Sequence, residues 1–177
     1  MEMRLAKVSA AKAGGTAGKG AMTYKLTLPT SWVKAIGASD GQKVVLRFDG
    51  EKIEISPVQS LDEYREARLS LGHRLLEIRY YNRDTLCTVI VADQTAKDLR
   101  VENYTDQAIK TAFGINSVPT WADFEAFLEE RCIPRQRSGL RQYLEALGLE
   151  EYDPLAIIRK TQGRMAEDEQ WMEVEQL

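Results

Sequence analysis

Near the start of the chain, the residues that could take part in chemistry are basic side chains and a threonine, interleaved with glycines. Positively charged side chains of this kind bind phosphate groups. The segment Gly-Gly-Thr-Ala-Gly-Lys-Gly at 14–20 invites comparison with a nucleotide-binding P-loop, G-x-x-x-x-G-K-S/T. Its spacing is one residue short and Gly20 stands where the hydroxyl should be, so nucleotide hydrolysis is disfavoured. The candidate nucleic-acid contacts are Arg4, Lys7, Lys12, Thr16, Lys19 and Lys25, of which the basic residues would bind phosphates and Lys12, Thr16 or Lys19 could reach the bases.

A second basic cluster lies in the last third of the chain and consists of Arg131, Arg135, Arg137 and Arg141. At the N-terminus of a predicted helix from Ser138, these guanidinium groups could bind an anion or phosphate, or dock an acidic partner. They could equally pair with the neighbouring carboxylates of Glu129, Glu130 and Glu145. The sequence leaves both interpretations open.

The remaining reactive residue types are few: one histidine, His73, and two cysteines, Cys87 and Cys132. They are too few and too widely spaced for a disulfide framework or a zinc site, so no metal or cofactor is expected. The arginines around Cys132 would lower the pKa of its thiol. Without a second histidine, however, a thiol enzyme is not expected, and we predict that the chain is not an enzyme.

Charge is distributed unevenly over the 177 residues, whose formal net charge is −3. Residues 1–57 carry nine basic and five acidic side chains, a net of +4, which leaves −7 for the remainder. Such asymmetry indicates a nucleic-acid-facing segment joined to a different kind of domain. No apolar run reaches the roughly 18 residues that cross a bilayer, and the start lacks the apolar region of a secretory signal. A cytoplasmic protein without membrane contact is therefore expected.

The first 57 residues are predicted to form short strands around one short helix. Strands are expected at 7–9, 24–28, 44–48 and 53–55, because apolar and polar residues alternate there. Pro29 and Gly37 bound the helix, Asp49-Gly50 predicts a two-residue hairpin turn, and Ala10 to Ala21 predicts a glycine-rich, mobile loop. A unit this small buries little surface alone, so it needs a partner, most simply a second copy.

Residues 58–177 are predicted to form a small antiparallel sheet followed by helices. A polar helix or linker is expected at 58–71 and strands between about 75 and 104. Helices are expected at 106–113, 120–131, 138–147 and 153–161, with an acidic, partly ordered stretch from Met165 to Leu177. A helix-turn-helix DNA reader in 138–163 is a minor alternative, because its glutamates would repel phosphates. The fold class is therefore α+β.

An ordered set of short motifs in residues 7–56 carries a family resemblance. Leu26-Thr27-Leu28-Pro29 is followed by Ile36-Gly37 and then by Gly41-Gln42-Lys43-Val44. With these motifs the segment resembles the AbrB/MazE-type swapped-hairpin family, whose small DNA-binding domains dimerise by interleaving hairpins into one barrel. The long glycine-rich loop departs from the tight basic turn that is common in that family.

The resemblance implies a homodimer that binds double-stranded DNA as an antitoxin-like or transition-state-regulator-like repressor. Residues 1–57 would form the swapped-hairpin β-barrel, and residues 58–177 would bind a partner protein or effector. Two alternatives stay open. The lysines could merely solubilise a surface, or residues 58–177 could be a protein-interaction module that the barrel dimerises, with no direct DNA role.

Overall fold

The computed structural model describes residues 2–13 and 21–177, which divide into two compact units, Met1–Val58 and Gln59–Leu177. We call them unit 1 and unit 2. Over the described residues the chain is α+β, as predicted, with small antiparallel sheets and five α-helices. None of these sheets closes into a barrel within the single chain.

Unit 1 consists of two antiparallel hairpins and a short helix. Strand β1 (Val8–Lys12) pairs with β2 (Met22–Leu26), helix α1 spans Thr30–Ala35, and β3 (Val44–Phe48) pairs with β4 (Ile53–Pro57). The prediction that Ala10 begins a loop is wrong, because β1 continues through Lys12 opposite Met22. Residues 14–20 of the predicted loop lie outside the described residues.

The turn between β3 and β4 differs from the predicted two-residue turn. Phe48 pairs with Ile53, so four residues connect the strands. The Asp49 carboxylate accepts hydrogen bonds from the backbone N–H groups of Glu51 and Lys52, each at 3.0 Å. This aspartate turn forms the longer connection, and Gly50 supports it with a left-handed φ of 101°.

Unit 2 is a four-stranded antiparallel sheet with helices on both faces. Its strand order is β7-β6-β5-β8, and the bounds are β5 Leu75–Asn82, β6 Thr85–Asp93, β7 Asp98–Asn103 and β8 Gln170–Gln176. Helix α2 (Leu61–Ser70) packs Leu61 and Tyr64 against one face. Helices α3 (Trp121–Glu130), α4 (Leu140–Leu147) and α5 (Pro154–Thr161) contribute to the core on the other face.

The C-terminal stretch, predicted to be partly ordered, is instead an integral strand of this sheet. Strand β8 pairs with β5 from Asn82↔Gln170 to Leu76↔Gln176. Met172 is buried in the core, and Trp171 stacks on Tyr81 with ring centroids 4.4 Å apart. The Trp171 indole N–H also donates to the Arg83 carbonyl at 2.6 Å. These contacts hold the strand in spite of its acidic composition.

The helices predicted at 120–131, 138–147 and 153–161 are confirmed, and the one predicted at 106–113 is not. Helix α3 starts at the capping box of Thr120 and Asp123, and α5 starts after the N-cap Asp153. The predicted helix at 106–113 is wrong, since only Ala108–Lys110 forms a single 3₁₀ turn. Nearby, the Thr111 hydroxyl bonds the Ala108 and Gly114 carbonyls, which competes with helical hydrogen bonding.

Candidate nucleic-acid interface

The strand register gives the first hairpin of unit 1 one apolar and one polar face. Val8 pairs with Leu26 and Ala10 with Tyr24, while the intervening Ser9 pairs with Lys25. Alternate residues of a strand point to opposite faces. The first apolar face therefore consists of Val8, Ala10, Met22, Tyr24 and Leu26, and the polar face of Ser9, Ala11, Thr23 and Lys25.

The second hairpin has the same two-sided construction. Leu46 pairs with Ile55 and Phe48 with Ile53, while Arg47 pairs with Glu54 between them. Its apolar face consists of Val44, Leu46, Phe48, Ile53 and Ile55. On its polar face the Arg47 and Glu54 charges oppose each other, so this second polar face carries no excess of positive charge.

The described residues of unit 1 leave both of its apolar faces exposed. Tyr24 is 68% exposed, Leu46 65% and Phe48 70%, and no described residue up to Val58 is buried. Water-exposed apolar surface of this extent is characteristic of interaction sites in soluble proteins. The sequence predicts the alternation of apolar and polar residues and a partner for the unit, whereas the strand register shows which residues lie opposite each other on each face.

Of the six basic and hydroxyl residues predicted from the first third, the four that the structure describes do not share one location. Lys25 lies on the polar face opposite Ser9, whereas Lys12 has the strand parity of the first apolar face. Lys7 directly precedes β1, and Arg4 lies in the exposed N-terminal segment that Glu2 ties to Trp32 through an indole hydrogen bond of 2.6 Å. Thr16 and Lys19 lie outside the described residues.

The arginine cluster of unit 2 does not converge on one anion site. Arg131 is only 7% exposed and donates to both Asp168 carboxylate oxygens and to the Gly163 and Gln170 carbonyls. Arg135 donates to Glu129 at 2.7 Å and Arg141 to Glu145 at 3.0 Å. These two contacts are the carboxylate pairing that the sequence left as one alternative. Arg137 lies on the exposed turn before α4.

The neighbouring Cys132 thiol is itself buried. Burial raises the pKa of Cys132 to about 11, with a further rise from Asp153, and this outweighs the lowering by Arg131 and Arg135. The expectation of a lowered thiol pKa is therefore wrong, and the thiol stays protonated at neutral pH. Its sulfur lies 3.6 Å from the Pro154 carbonyl oxygen, as a core group would.

The lone histidine is part of a polar cluster at the edge of the unit 2 core. Nδ1 of His73 lies 2.6 Å from the buried Asp93 carboxylate, which also accepts backbone N–H groups of Thr95 and Ala96 at 2.9 Å. Burial alone would raise the pKa of Asp93, but the hydrogen bonds from His73, Ala96 and Thr95 together lower it. The arrangement fixes the turn after β6.

No group of three metal-ligating side chains is assembled among residues 2–13 and 21–177. Within the same ranges no helix has the length and apolar character needed to cross a bilayer. Unit 1 offers a pair of exposed apolar faces beside lysines, and unit 2 a set of internally paired charges.

Searches of protein-family models, curated proteins and solved structures match nothing to this chain.

Proposed function

We propose that this chain is a homodimeric DNA-binding regulator in which two copies of unit 1 bury the apolar faces of their hairpins against each other. The observation that carries the proposal is that both hairpins have an aligned apolar face and unit 1 has no buried described residue. A two-stranded hairpin is at best marginally stable by itself in water. A second copy supplies an identical apolar surface, and two-fold pairing is the commonest symmetry of soluble oligomers.

The nucleic-acid part of the proposal rests on the charge that remains outside the apolar faces. The sequence from Lys7 to Lys34 contains five lysines and no acidic residue. Lys25 lies on the polar face of the first hairpin, directed away from the surface that a second copy would cover. Dimerisation would double this uncompensated charge, which is the electrostatic requirement for binding a phosphate backbone.

The swapped-hairpin barrel of the AbrB/MazE type is the architecture that fits this pair of hairpins. It interleaves the hairpins of two chains, so each chain alone would display its apolar faces as unit 1 does. Unit 2 would then be the effector or partner domain of a repressor.

The DNA arm is tested with the full chain and a fluorescently labelled duplex of random sequence at low salt. The variant Lys7→Gln/Lys25→Gln removes four charges from a dimer. Binding should weaken, and the slope of log affinity against log salt should fall by roughly 3 to 4. The matched control Lys97→Gln/Lys160→Gln removes the same charge from unit 2 and should leave the slope unchanged.

An unchanged slope in the Lys7→Gln/Lys25→Gln variant, with the dimer intact by sedimentation, would refute DNA contact through the polar face. That result would favour the alternative function, a protein-interaction module that unit 1 dimerises without a direct DNA role. The sedimentation control is informative because neither lysine lies on an apolar face, so dimerisation should not depend on either of them.

A further inference from the structure

The connection between β7 and α3 is an ordered loop that displays large apolar side chains. We call residues 104–119 the display loop. Ile109 is 86% exposed and Ile115 94% exposed, and Val118 is exposed as well. Scattered exposed apolar residues are common on soluble proteins. With Tyr104 the loop displays four exposed apolar side chains, and so many within one connection, in a unit that has an extensive buried core, call for an explanation.

Hydrogen bonds to the sheet hold the display loop in place. The Ala112 N–H donates to the Thr88 hydroxyl at 3.2 Å, and that hydroxyl donates to Asn103 at 2.9 Å. The Gln170 side-chain amide donates to the Ile109 carbonyl at 2.9 Å. Thr111, a residue of the loop, is itself buried. The exposed isoleucines are thus carried on a fixed backbone, so a partner would bind them without first ordering the loop.

Two depressions of about 310 Å³ each adjoin the display loop and share Ala112, Phe127 and Glu130 in their walls. More of their lining surface is polar than apolar, so these hollows suit polar or charged side chains of a partner. The exposed isoleucines beside them supply the apolar part of the surface.

The charges around these depressions are mainly negative. Their linings include four carboxylates and one cation, the cation being Arg131, which is buried and bound to Asp168. The loop itself adds no net charge from Lys110 and Asp106, whose formal charges cancel. The carboxylates of the linings are Asp123, Glu130, Glu167 and Asp168.

We infer that the display loop and its two depressions form a docking surface for a basic protein segment that carries large apolar side chains. Charge complementarity selects a cationic partner, because the carboxylates would attract lysine and arginine and repel phosphate. The isoleucines require apolar side chains from that partner, whereas the mainly polar hollows fit its cationic side chains. The inference concerns unit 2 alone and goes beyond the proposed DNA-binding function.

The test uses the full chain and a fluorescein-labelled amphipathic peptide of lysine and leucine. The variant Ile109→Ser/Ile115→Ser should weaken peptide binding by about tenfold or more. The control Leu69→Ser/Leu71→Ser, at exposed leucines at the end of α2, should bind as the unmodified chain does. Because all four side chains are solvent-exposed, none of these changes should disturb the fold.

A second pair of variants tests the charge. Glu130→Lys/Glu167→Lys should weaken binding of the lysine–leucine peptide, whereas the equal charge change Glu66→Lys/Glu151→Lys should weaken it less. A glutamate–leucine peptide should not bind, and a lysine–serine peptide should bind more weakly. Methyl NMR should show shifts at Ile109, Ile115 and Val118 upon titration.

The inference is overturned if the lysine–leucine peptide does not bind, or if it binds with shifts elsewhere. It is also overturned if the display-loop variants and their controls bind equally, or if the glutamate–leucine peptide binds as well. Peptide binding with shifts in unit 1 would likewise overturn it, and would show that the peptide binds the surface assigned to the proposed dimer. Failure of the docking surface and failure of the DNA-binding proposal are therefore distinguishable.

Discussion

The two units of this chain differ in whether the apolar faces of their strands are covered. Both contain antiparallel strands with alternating apolar residues. In unit 2 helices cover both faces of the sheet, and side chains such as Ile78, Ile90 and Met172 are removed from water. In unit 1 the corresponding side chains, among them Phe48 and Ile53, remain exposed. Amphipathic strands are therefore not sufficient for a core, because a second apolar layer must be supplied from somewhere.

The contrast assigns different sources of stability to the two units. Burial of one large apolar side chain stabilises a fold by about 1.5 to 3 kcal/mol, and unit 2 obtains this gain within one chain. The described residues of unit 1 do not provide this gain for one another, and in the proposed dimer a second copy would provide it. The stability of unit 1 should therefore depend on protein concentration, whereas that of unit 2 should not.

The largest expected effect comes from placing a charge on an apolar face of unit 1. Leu46→Asp should dissociate the proposed dimer, because an unpaired carboxylate buried at an interface costs several kcal/mol, about 3 or more. Val45→Asp, one residue away on the polar face, is the matched control. In the single chain Val45 is less exposed than Leu46, so burial within the chain alone would make Val45→Asp the more disruptive change. The proposed dimer predicts the reverse: sedimentation equilibrium should show that Leu46→Asp weakens dimerisation more than Val45→Asp does. The opposite order would contradict the comparison.

Unit 2 should respond most strongly to loss of its buried guanidinium group. Arg131→Ala leaves Asp168 and two backbone carbonyls without their donor, so the free energy of unfolding should fall by about 3 kcal/mol. Arg141→Ala removes an exposed pair with Glu145 and should cost less than about 1 kcal/mol. Denaturation followed at Trp121 and Trp171 in a Trp32→Phe background measures both. Equal costs would mean that the Arg131 network is not structural.

A smaller effect is expected at Gly163, which lies beside Arg131 in the core. Its φ is +60°, and an added Cβ would lie 3.1 Å from Met172 and 3.3 Å from the Arg131 side chain. Gly163→Ala should cost about 2 to 3 kcal/mol, from the left-handed backbone and the crowding together. Gly148, with φ +71° and open space around it, isolates the backbone contribution, so Gly148→Ala should cost about 1 kcal/mol.

The smallest expected effect is a change in the stability of unit 2 at acid pH. The folded-state pKa of Asp93 is lowered and so is that of Asp168, through its bond to Arg131. Lowered carboxyl pKa values add stability above the unfolded-state pKa of about 4. That stability is lost as pH falls through the folded-state values. Asp93→Asn should flatten the pH dependence of unit 2 unfolding below about pH 4, and an unaltered curve would exclude Asp93 as its source.

The parts of the fold that the sequence predicts are those specified by neighbouring residues. The capping box of Thr120 and Asp123 and the Asp153-Pro154 start place α3 and α5 within a residue or so. Strand β8 does carry a local signal, because its apolar Met172 and Val174 alternate with glutamates, but the acidic composition of the stretch favours the expectation of partial order instead. Its pairing with β5, which is distant in sequence, depends on the tertiary fold.

The candidate site divides in the same way. The alternation that produces the apolar faces can be read from the sequence, and the prediction of a partner rests on it. The separation of Lys12 from Lys25 depends on the register of β1 against β2, and the burial of Arg131 depends on Asp168 across the fold. Charge clusters in sequence therefore do not establish charge clusters in space.

The central claim, that a second copy covers the apolar faces of unit 1, is tested most directly by isotope-filtered NOE spectroscopy on a mixture of two differently labelled full-length samples. We predict intermolecular NOEs between methyl groups of Val8, Leu26 or Ile53 in one copy and the rings of Tyr24 or Phe48 in the other. Ile78 and Ile90 in the core of unit 2 should show none. Absence of intermolecular NOEs at every unit 1 methyl group would contradict the claim.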